Sequence, residues 1–238
     1  MAKPVSKKKM KRAAQQKKTN LTVIIIIAAF ALVVVGMIII TQLNANPPAA
    51  ANTPVVIPTL TPKPQESGLS LGDPNAPVKV IEFADFQCIV CYQYYLQMEP
   101  SIIQTYVATG KVYYTFSPFV IFTDNQESSD ATEAAYCAND QGKFWAFHDT
   151  LFANYLGEYK GSYTTARLKE MAQGLGLDMT AFNDCYDNSK YAQQIQADDA
   201  FAQTTGATGT PSFLVNGQLI HADTLVATID AALAAAGQ

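Results

Sequence analysis

The sequence predicts an α/β domain that follows one membrane-spanning helix and a proline-rich segment. Three observations carry this prediction. An uncharged run of 20 residues follows a lysine-rich N-terminus. Further along, short hydrophobic runs suggest the order β-α-β and later β-β-α, and a long stretch with helical periodicity separates these two halves. With 49% hydrophobic and 15% charged residues, the 238-residue chain can bury a core, which excludes wholesale disorder.

Residues 1–20 contain eight basic residues and no acid, which leaves residues 21–238 with a net charge of −12. So acidic a body argues against nucleic acid as a partner. The run LTVIIIIAAFALVVVGMIII reaches about 30 Å as a helix, enough to cross a bilayer. It is longer than the apolar region of a cleaved signal peptide. We therefore expect a signal anchor over residues 21–41, with a cytoplasmic basic arm.

The basic arm then acts as the positive-inside signal, and binding of nucleic acid by this arm is the alternative. If the anchor holds, the chain after it is extracytoplasmic, at the cell surface or in a periplasm. Cleavage near residues 49–51 is the other possibility. Residues 42–68 hold six of the twelve prolines, and we expect a flexible, solvated linker there.

The folded domain is expected over residues 69–238. Residues 78–83 alternate as a short buried strand, and residues 111–116 predict a second one. Between them, a helix that starts after Cys88 should kink at Pro100 and end at Gly110. Its inward face carries Tyr95, Met98, Ile102 and Tyr106.

A helical insertion is expected over about residues 124–205, with Asp130 and Glu133 as a capping box at its start. Residues 212–215 and 218–220 then predict a hairpin around an Asn-Gly turn. A last helix follows, for which Asp223 is the expected N-cap. Its predicted buried residues are Leu225, Ile229 and Leu233.

The chemistry-bearing motif is Cys88-Ile89-Val90-Cys91, at the junction of a strand and a helix. The unpaired N–H groups and the dipole of a helix N-terminus stabilise a thiolate on the first cysteine. Cys88 is therefore the expected nucleophile and Cys91 the resolving thiol. A purely structural short disulfide is one alternative. Half of a zinc site is another, with further ligands available only from Cys137, Cys185, His148 and His221.

Two segments carry a family resemblance. VKVIEFADFQCIVCYQYYLQMEPSI resembles the active-site segment of the DsbA-like thiol-disulfide oxidoreductases of the thioredoxin superfamily. GATGTPSFLVNG, about 120 residues downstream, is similar to the cis-proline loop and hairpin of that family. The resemblance covers about residues 71–236. It implies a thioredoxin fold with a helical insertion. The sequence shows no phosphate-binding loop, Ser/His/Asp arrangement or metal cluster, so we expect no cofactor or metal.

The resemblance also implies roles for individual residues. Thr210 and Pro211 match the pair that faces the active-site disulfide and, with Pro211 in the cis form, binds the substrate chain. Glu82 matches a buried acid that moves the proton of the resolving thiol; an exposed acid at a strand edge is its alternative. Ile89 and Val90, expected to touch substrate, stand where strongly oxidising members have Pro-His. Since they cannot stabilise a thiolate electrostatically, we predict a milder oxidant.

Cys137 and Cys185 lie 48 residues apart in the predicted insertion. In an oxidising compartment such a pair is expected to form a structural disulfide. A second redox pair that relays electrons is the alternative. A relay is disfavoured because neither cysteine belongs to a C-x-x-C motif at a strand–helix junction.

The sequence thus predicts an extracytoplasmic enzyme that introduces disulfides into cysteine-containing exported proteins. The resemblance further implies a membrane partner of the DsbB or vitamin-K-epoxide-reductase type, linked to quinone, that reoxidises Cys88 and Cys91. A reductase or isomerase is the alternative within redox chemistry. A non-catalytic tethered binding domain is the alternative from another class.

Overall fold

The computed structural model describes residues 53–238. The predicted basic arm and anchor, and residues 42–52 of the predicted linker, lie outside the described residues. Within residues 53–238, no helix combines the length and the apolar composition needed to cross a bilayer.

A five-stranded mixed sheet forms the centre of the domain, in the order β1-β3-β2-β4-β5. Strands β2 and β3 are parallel, and the other neighbours are antiparallel. The predicted α/β architecture, with β-α-β before and β-β-α after a helical insertion, is confirmed. The strands are β1 (Ser70–Leu71), β2 (Val78–Ala84), β3 (Val112–Pro118), β4 (Ser212–Val215) and β5 (Gln218–His221).

Strand β2 lies in the middle of the sheet, between β3 and β4. Its sequence VKVIEFA is rich in β-branched and aromatic residues, which fit a pleated and covered surface. Val78, Val80 and Phe83 are fully buried. A parallel β2–β3 pair requires a crossover, which the helices after Cys88 supply.

The helix after Cys88 is interrupted where the proline predicts it. Helix α1 stops at Gln97, and α2 restarts with Pro100 in its first turn, where a missing N–H leaves no bond unmade. A π-helical segment over Ile103–Val107 completes the crossover. Gly110 follows with φ +74°, a conformation that glycine adopts without strain.

Five helices, α3 to α7, form the insertion between β3 and β4. They cover residues 127–204, close to the predicted range. The eight helices of the described chain are α1 (Ile89–Gln97), α2 (Glu99–Ile102), α3 (Glu127–Asn139), α4 (Phe144–Ala153), α5 (Thr165–Gly174), α6 (Met179–Asp187), α7 (Ala192–Thr204) and α8 (Leu225–Ala235).

Two predicted helix caps are wrong. Helix α3 begins at Glu127 rather than at Asp130, because the Asn125 side chain already accepts the Glu127 N–H at 3.1 Å. Before α8, a 3₁₀ turn over Ala222–Thr224 takes up the chain, so Asp223 does not cap the helix. The predicted inward face of α8 is confirmed, since Leu225, Ile229 and Leu233 are buried.

The described part of the predicted linker contacts the domain at several points, although most of its residues are exposed. Val56 and the Asn154 side chain exchange two hydrogen bonds of 2.8 and 2.7 Å. Ile57 lies so close to Gly174 of α5 that a Cβ there would meet it at 2.5 Å. The Pro64 carbonyl accepts from the Gly72 N–H at 2.9 Å. Residues 53–68 are thus largely exposed to solvent, and these contacts hold them along the surface of the domain.

Candidate active site

The chain makes a tight connection between the end of β2 and the start of α1, and Cys88 lies on it. Cys88 is the N-cap of α1, with an extended backbone (φ −71°, ψ 120°). Its N–H donates to the Asp85 carbonyl at 3.0 Å. The Cys88 side chain is largely covered, and Cys91, one helical turn further, is fully buried.

Asp85 holds this connection in place. Its buried carboxylate accepts from the N–H of Gln87 at 2.8 Å and from the Ser128 hydroxyl at 2.7 Å. The other oxygen accepts from the N–H groups of Ile121 and Phe122 at 2.9 and 3.2 Å. One side chain thus ties the loop after β2 to the loop after β3 and to α3. The sequence analysis missed this residue, although an acid at the end of a buried strand is a recognisable signal.

The two thiols of the motif have opposite proton affinities. The pKa of Cys88 is lowered to about 6, chiefly by a hydrogen bond from the Cys91 thiol. Burial opposes this shift, while Thr210 and the N–H groups of Val90 and Cys91 add to it. Burial raises the pKa of Cys91 well above its ordinary value, and the charges of Cys88 and Glu82 raise it further. At neutral pH Cys88 is therefore a thiolate and Cys91 a thiol.

The loop before β4 brings Thr210 and Pro211 against the nucleophile. The Thr210–Pro211 peptide bond is cis. The Cys88 Sγ lies 3.3 Å from the Thr210 carbonyl oxygen. Pro211 is buried and Thr210 is half-buried. The structure thus brings Cys88, Cys91, Thr210 and Pro211 together, although 118 residues separate Cys91 from Thr210 in the sequence.

Glu82 is buried in the central strand, with only 1% of the residue exposed. The alternative of an exposed acid at a strand edge is therefore wrong, because β3 and β4 cover β2 on both sides. Glu82 Oε2 accepts from the Tyr114 hydroxyl at 2.5 Å, and the Tyr94 hydroxyl lies 3.1 Å from that of Tyr114. Burial and then the charge of Glu99 raise the pKa of Glu82 to about 8. This carboxyl group is therefore largely protonated at neutral pH.

A second buried charge cluster lies beside Glu82. Lys63 Nζ is 3.2 Å from Glu99 Oε1 and 3.1 Å from Asp149 Oδ1. His148 bonds to Asp149 through Nδ1 at 3.0 Å and approaches Glu99 through Nε2 at 3.8 Å. Although burial opposes it, the two carboxylates raise the pKa of Lys63. Lys63 in turn lowers the pKa of Glu82, so the charges of this cluster reach the active site.

Spacing along the chain could not reveal this cluster. Lys63 lies in the segment predicted as a linker, and Glu99, His148 and Asp149 come from α2 and α4. The zinc alternative loses its ligands in the same arrangement: His148 faces Glu99, and Cys137 and Cys185 are bonded to each other.

Cys137 of α3 and Cys185 of α6 form a disulfide with a Cα–Cα distance of 5.8 Å. The bond joins two helices of the insertion and closes a loop of 48 residues. Its cysteines are buried at the helix–helix contact.

Exposed apolar side chains surround the nucleophile. Ile89 is 41% exposed and Val90 is 48% exposed, on the first turn of α1. Tyr159, from the loop between α4 and α5, is 44% exposed and packs edge-on against Phe122 at 5.5 Å. The same loop places Glu158, whose Oε1 accepts from the Ile89 N–H at 3.2 Å. The sequence analysis did not single out either loop residue, because only the fold brings them to the cysteines.

Comparison with known proteins identifies relatives of this chain by sequence and by structure. A family model described as thioredoxin matches residues 65–235. The probable disulfide bond formation protein D of Bacillus anthracis is 31% identical over 158 residues, which span 65% of this chain and 72% of that protein. The crystal structure of oxidised BdbD from Bacillus subtilis superimposes with a TM-score of 0.64 at 26% identity, covering 72% of this chain and 97% of that one.

The chain is also similar to part of a larger protein. The Na(+)/H(+) antiporter NhaA 1 of Salinispora arenicola is 31% identical over 165 residues, which span 69% of this chain. The matched part is only 24% of that antiporter's length. The family match over residues 65–235 includes the cysteine motif, the insertion and the cis-proline loop. The chain belongs to the thioredoxin family, among the DsbA-like protein thiol-disulfide oxidoreductases.

Proposed function

We propose that this protein introduces disulfides into cysteine-containing exported proteins, with Cys88 and Cys91 as its redox centre. The observation that carries the proposal is the opposite shift of the two thiol pKa values. The pKa of Cys88, at the helix start, is lowered to about 6, and that of Cys91, one turn into the helix, is raised. Cys88 is therefore a good leaving group in exchange with substrate, whereas Cys91 remains a protonated thiol in the core.

In the first step, a substrate thiolate attacks the Cys88 sulfur of the oxidised pair. The bond from Cys88 to Cys91 breaks, a mixed disulfide between substrate and Cys88 forms, and the electron pair leaves with Cys91. Since burial disfavours a Cys91 thiolate, a proton must reach it. Glu82, protonated below about pH 8, is the group we assign to this transfer.

In the second step, another thiolate of the substrate attacks the substrate sulfur of the mixed disulfide. Cys88 leaves as a thiolate, which its lowered pKa favours. The substrate is oxidised by two electrons and the pair of cysteines is reduced. A membrane partner of the DsbB or vitamin-K-epoxide-reductase type, linked to quinone, then takes these two electrons. This partner rests on the family resemblance.

The substrate chain has a matching surface. Exposed Ile89 and Val90 favour apolar segments, which unfolded proteins present. The backbone before Pro211 lies beside Cys88, where it could pair with an extended substrate strand. Thr210, Pro211, Ile89 and Val90 are therefore the substrate-binding residues of the proposal.

The proposed location is the outer face of a membrane, with the N-terminus in the cytoplasm. Supporting observations are the uncharged run at residues 21–40, the basic residues before it and the Cys137–Cys185 disulfide, a bond that persists in oxidising compartments. Protease treatment of intact cells tests the location. Digestion of the domain from outside is expected, and protection of the domain would contradict it.

One observation favours a reductase as the second candidate. A Cys88 pKa of about 6 is nearer to that of thioredoxin, about 7, than to that of DsbA, about 3.5. The dipeptide between the cysteines, Ile89-Val90 rather than Pro-His, also favours a reductase. Within the proposed function, the same value supports a milder oxidant.

The test uses the full-length chain, oxidised in detergent, and an unfolded peptide with two thiols. Stoichiometric oxidation of the peptide is expected, and Cys88→Ala should abolish it. Cys91→Ala should accumulate a mixed disulfide through Cys88 when it is given an oxidised peptide. A binding domain with a structural disulfide would oxidise no peptide and would keep its peptide affinity in Cys88→Ala, and that result would overturn the proposal.

A further inference from the structure

We infer that Glu158 sets the oxidising strength of the Cys88–Cys91 pair by placing a carboxylate on the first N–H of the active-site helix. The inference rests on the proposed function and adds a positioning residue to it. Glu158 belongs to the helical insertion, in the loop between α4 and α5, whereas Cys88 is the N-cap of α1 and Cys91 lies in its first turn. The insertion would thus control the redox centre of the domain that carries it.

The contact is direct. Glu158 Oε1 accepts a hydrogen bond from the Ile89 N–H at 3.2 Å. Ile89 is the residue after the nucleophile and the first residue of α1. The N–H groups in the first turn of a helix have no partner within the helix, and they stabilise negative charge.

The first turn of α1 therefore serves two anions. The N–H groups of Val90 and Cys91 face the Cys88 sulfur and lower its pKa. The remaining N–H of this turn, that of Ile89, donates to Glu158 instead. A carboxylate at this position withdraws a donor from the thiolate and adds a like charge beside it, and both effects disfavour the thiolate.

The loop backbone is shaped to bring the carboxylate there. Glu158 lies between Gly157, with φ +117°, and Tyr159, with φ +58°. A positive φ is uncommon for a residue such as tyrosine and has a conformational cost. These two positive-φ residues flank Glu158, whose carboxylate reaches the start of α1.

Buried contacts on both sides hold the loop. The Tyr159 N–H donates to Gln87 Oε1 at 3.0 Å, next to the nucleophile in sequence. The Tyr163 hydroxyl donates to the Phe86 carbonyl at 3.0 Å. The Glu127 carboxylate accepts from the N–H groups of Gly161 and Tyr163, both at 3.1 Å. These contacts fix the loop backbone from which the Glu158 side chain reaches the Ile89 N–H.

The titratable groups around Glu158 are Cys88 and Cys91, the tyrosines of its own loop and Lys160, whose Cγ would lie 3.2 Å from a Cβ added at Gly157. After burial, the charge of Glu158 is the largest influence that raises the pKa of Tyr155, and Cys88 and Cys91 add to it. The Tyr155 ring stacks on Tyr92 of α1 at 4.7 Å. The pKa of Tyr159 is raised by desolvation and then by the charges of Asp124, Glu158 and Asp85. The cysteines and tyrosines add no positive charge at pH 7. Lys160 is the one cation of this loop, and no ion pair joins it to Glu158 within the described residues.

The test compares Glu158→Gln with the unchanged full-length chain. Glutamine keeps an oxygen for the Ile89 N–H but removes the charge. We expect the pKa of Cys88, followed by thiolate absorbance, to fall by roughly half a unit to one unit. We also expect the equilibrium with glutathione to shift about 3- to 10-fold toward the reduced protein, equivalent to roughly 15 to 30 mV. Glu170→Gln, at an exposed position of α5, is the matched control and should change neither value.

An unchanged Cys88 pKa in Glu158→Gln, or a raised one, would overturn the inference. A shift in Glu158→Ala without one in Glu158→Gln would also overturn it, since that result would assign the effect to loop geometry rather than to charge. Both readouts need no protein substrate. If the chain oxidises no peptide while Glu158→Gln still lowers the Cys88 pKa, the proposed function fails and the inference stands.

Discussion

Cys88 and Cys91 are the same chemical group in two environments, three residues apart. Cys88 meets the N–H groups of the helix start and a hydrogen bond from its partner thiol, so its pKa falls to about 6. Cys91 meets a dry interior and the negative charges of Cys88 and Glu82, so its pKa rises. The difference decides which sulfur exchanges with substrate and which one returns to the core.

Glu82→Gln tests the proton transfer to Cys91. The variant keeps the size of the side chain and removes the acid. We expect mixed-disulfide formation to slow by roughly 10²-fold, the lower end of what a positioned acid contributes. The substrate thiolate becomes more abundant with rising pH in both experiments. We therefore expect the rate advantage of the unchanged chain over the variant to shrink as pH rises through about 8, where Glu82 ionises. Stopped-flow mixing of each oxidised protein with a reduced peptide, from about pH 6 to about pH 9, measures the rate on both sides of the Glu82 pKa and of an ordinary thiol pKa. An equal pH dependence in both proteins would contradict the role.

The same substitution has a predicted effect on stability. The pKa of Glu82 is raised on folding, so the folded chain binds a proton that the unfolded chain has already lost above about pH 4.3. Its contribution is most favourable below that pH and is lost as pH rises through about 8. We expect Glu82→Gln to flatten the fall in the free energy of unfolding over this window. Denaturant titrations of both proteins across the window measure it, and parallel curves would contradict the assignment.

At the residue scale, the sequence could reveal what lies in local motifs. Cys88 and Cys91 follow from spacing, and Glu82, Thr210 and Pro211 follow from the resemblance. Asp85, Glu158 and Lys63 were missed. Each acts on a partner more than 30 residues away, as when Asp85 accepts from Ile121, and only the fold creates such a pair.

At the scale of elements, the segment before β1 is part of the domain. Lys63 places its ammonium between Glu99 and Asp149, and its side chain is only 13% exposed. The carboxylates of Glu99 and Asp149 therefore depend for their charge balance on Lys63, which precedes the sheet. Any fragment of this protein that starts after Lys63 would remove that charge.

Lys63→Met tests this dependence. Leaving a buried carboxylate without its cation is expected to cost on the order of 3 kcal/mol of folding free energy. Because Lys63 lowers the pKa of Glu82, that pKa should rise further in the variant. Urea unfolding gives the first quantity, and the pH dependence of mixed-disulfide formation gives the second. Lys111→Met, at an exposed lysine, is the control; equal stability of the two variants would contradict the assigned role of Lys63.

The disulfide between α3 and α6 is assigned a structural role. Replacing Cys137 and Cys185 by alanine opens a loop of 48 residues, which should cost about 4 kcal/mol in the chain-entropy estimate. The glutathione equilibrium of Cys88 and Cys91 should not change. Transfer of oxidising equivalents from Cys137–Cys185 to reduced Cys88–Cys91 in the unchanged chain would instead support a relay.

The elements that the sequence predicted correctly are those with local signals. Strand β2, the kink at Pro100 and the Asn216-Gly217 turn each follow from a few neighbouring residues. The two wrong caps failed because a competing local contact took the position, Asn125 in one case and a 3₁₀ turn in the other. At residues 53–68, proline composition predicted a flexible linker and could not show the contacts with Asn154 and Gly174, which lie far away along the chain.

At the scale of the whole molecule, the proposal combines a redox domain with a membrane anchor. An acidic domain, with apolar side chains exposed around its nucleophile, is suited to unfolded polypeptides rather than to nucleic acid. The anchor would hold this surface near the translocated chains and near a quinone-linked partner in the same membrane. The direction of electron flow is then decided by the stability of the Cys88–Cys91 disulfide relative to those of its clients.

The reduction potential of the Cys88–Cys91 pair in the full-length chain tests the central claim most directly. Equilibration with glutathione, with the fraction of reduced cysteines measured at each ratio, gives the value. A disulfide donor with a Cys88 pKa of about 6 should lie near or above about −180 mV, yet below the value of about −120 mV for DsbA. A potential near roughly −270 mV, that of thioredoxin, would contradict the account and make the protein a reductase.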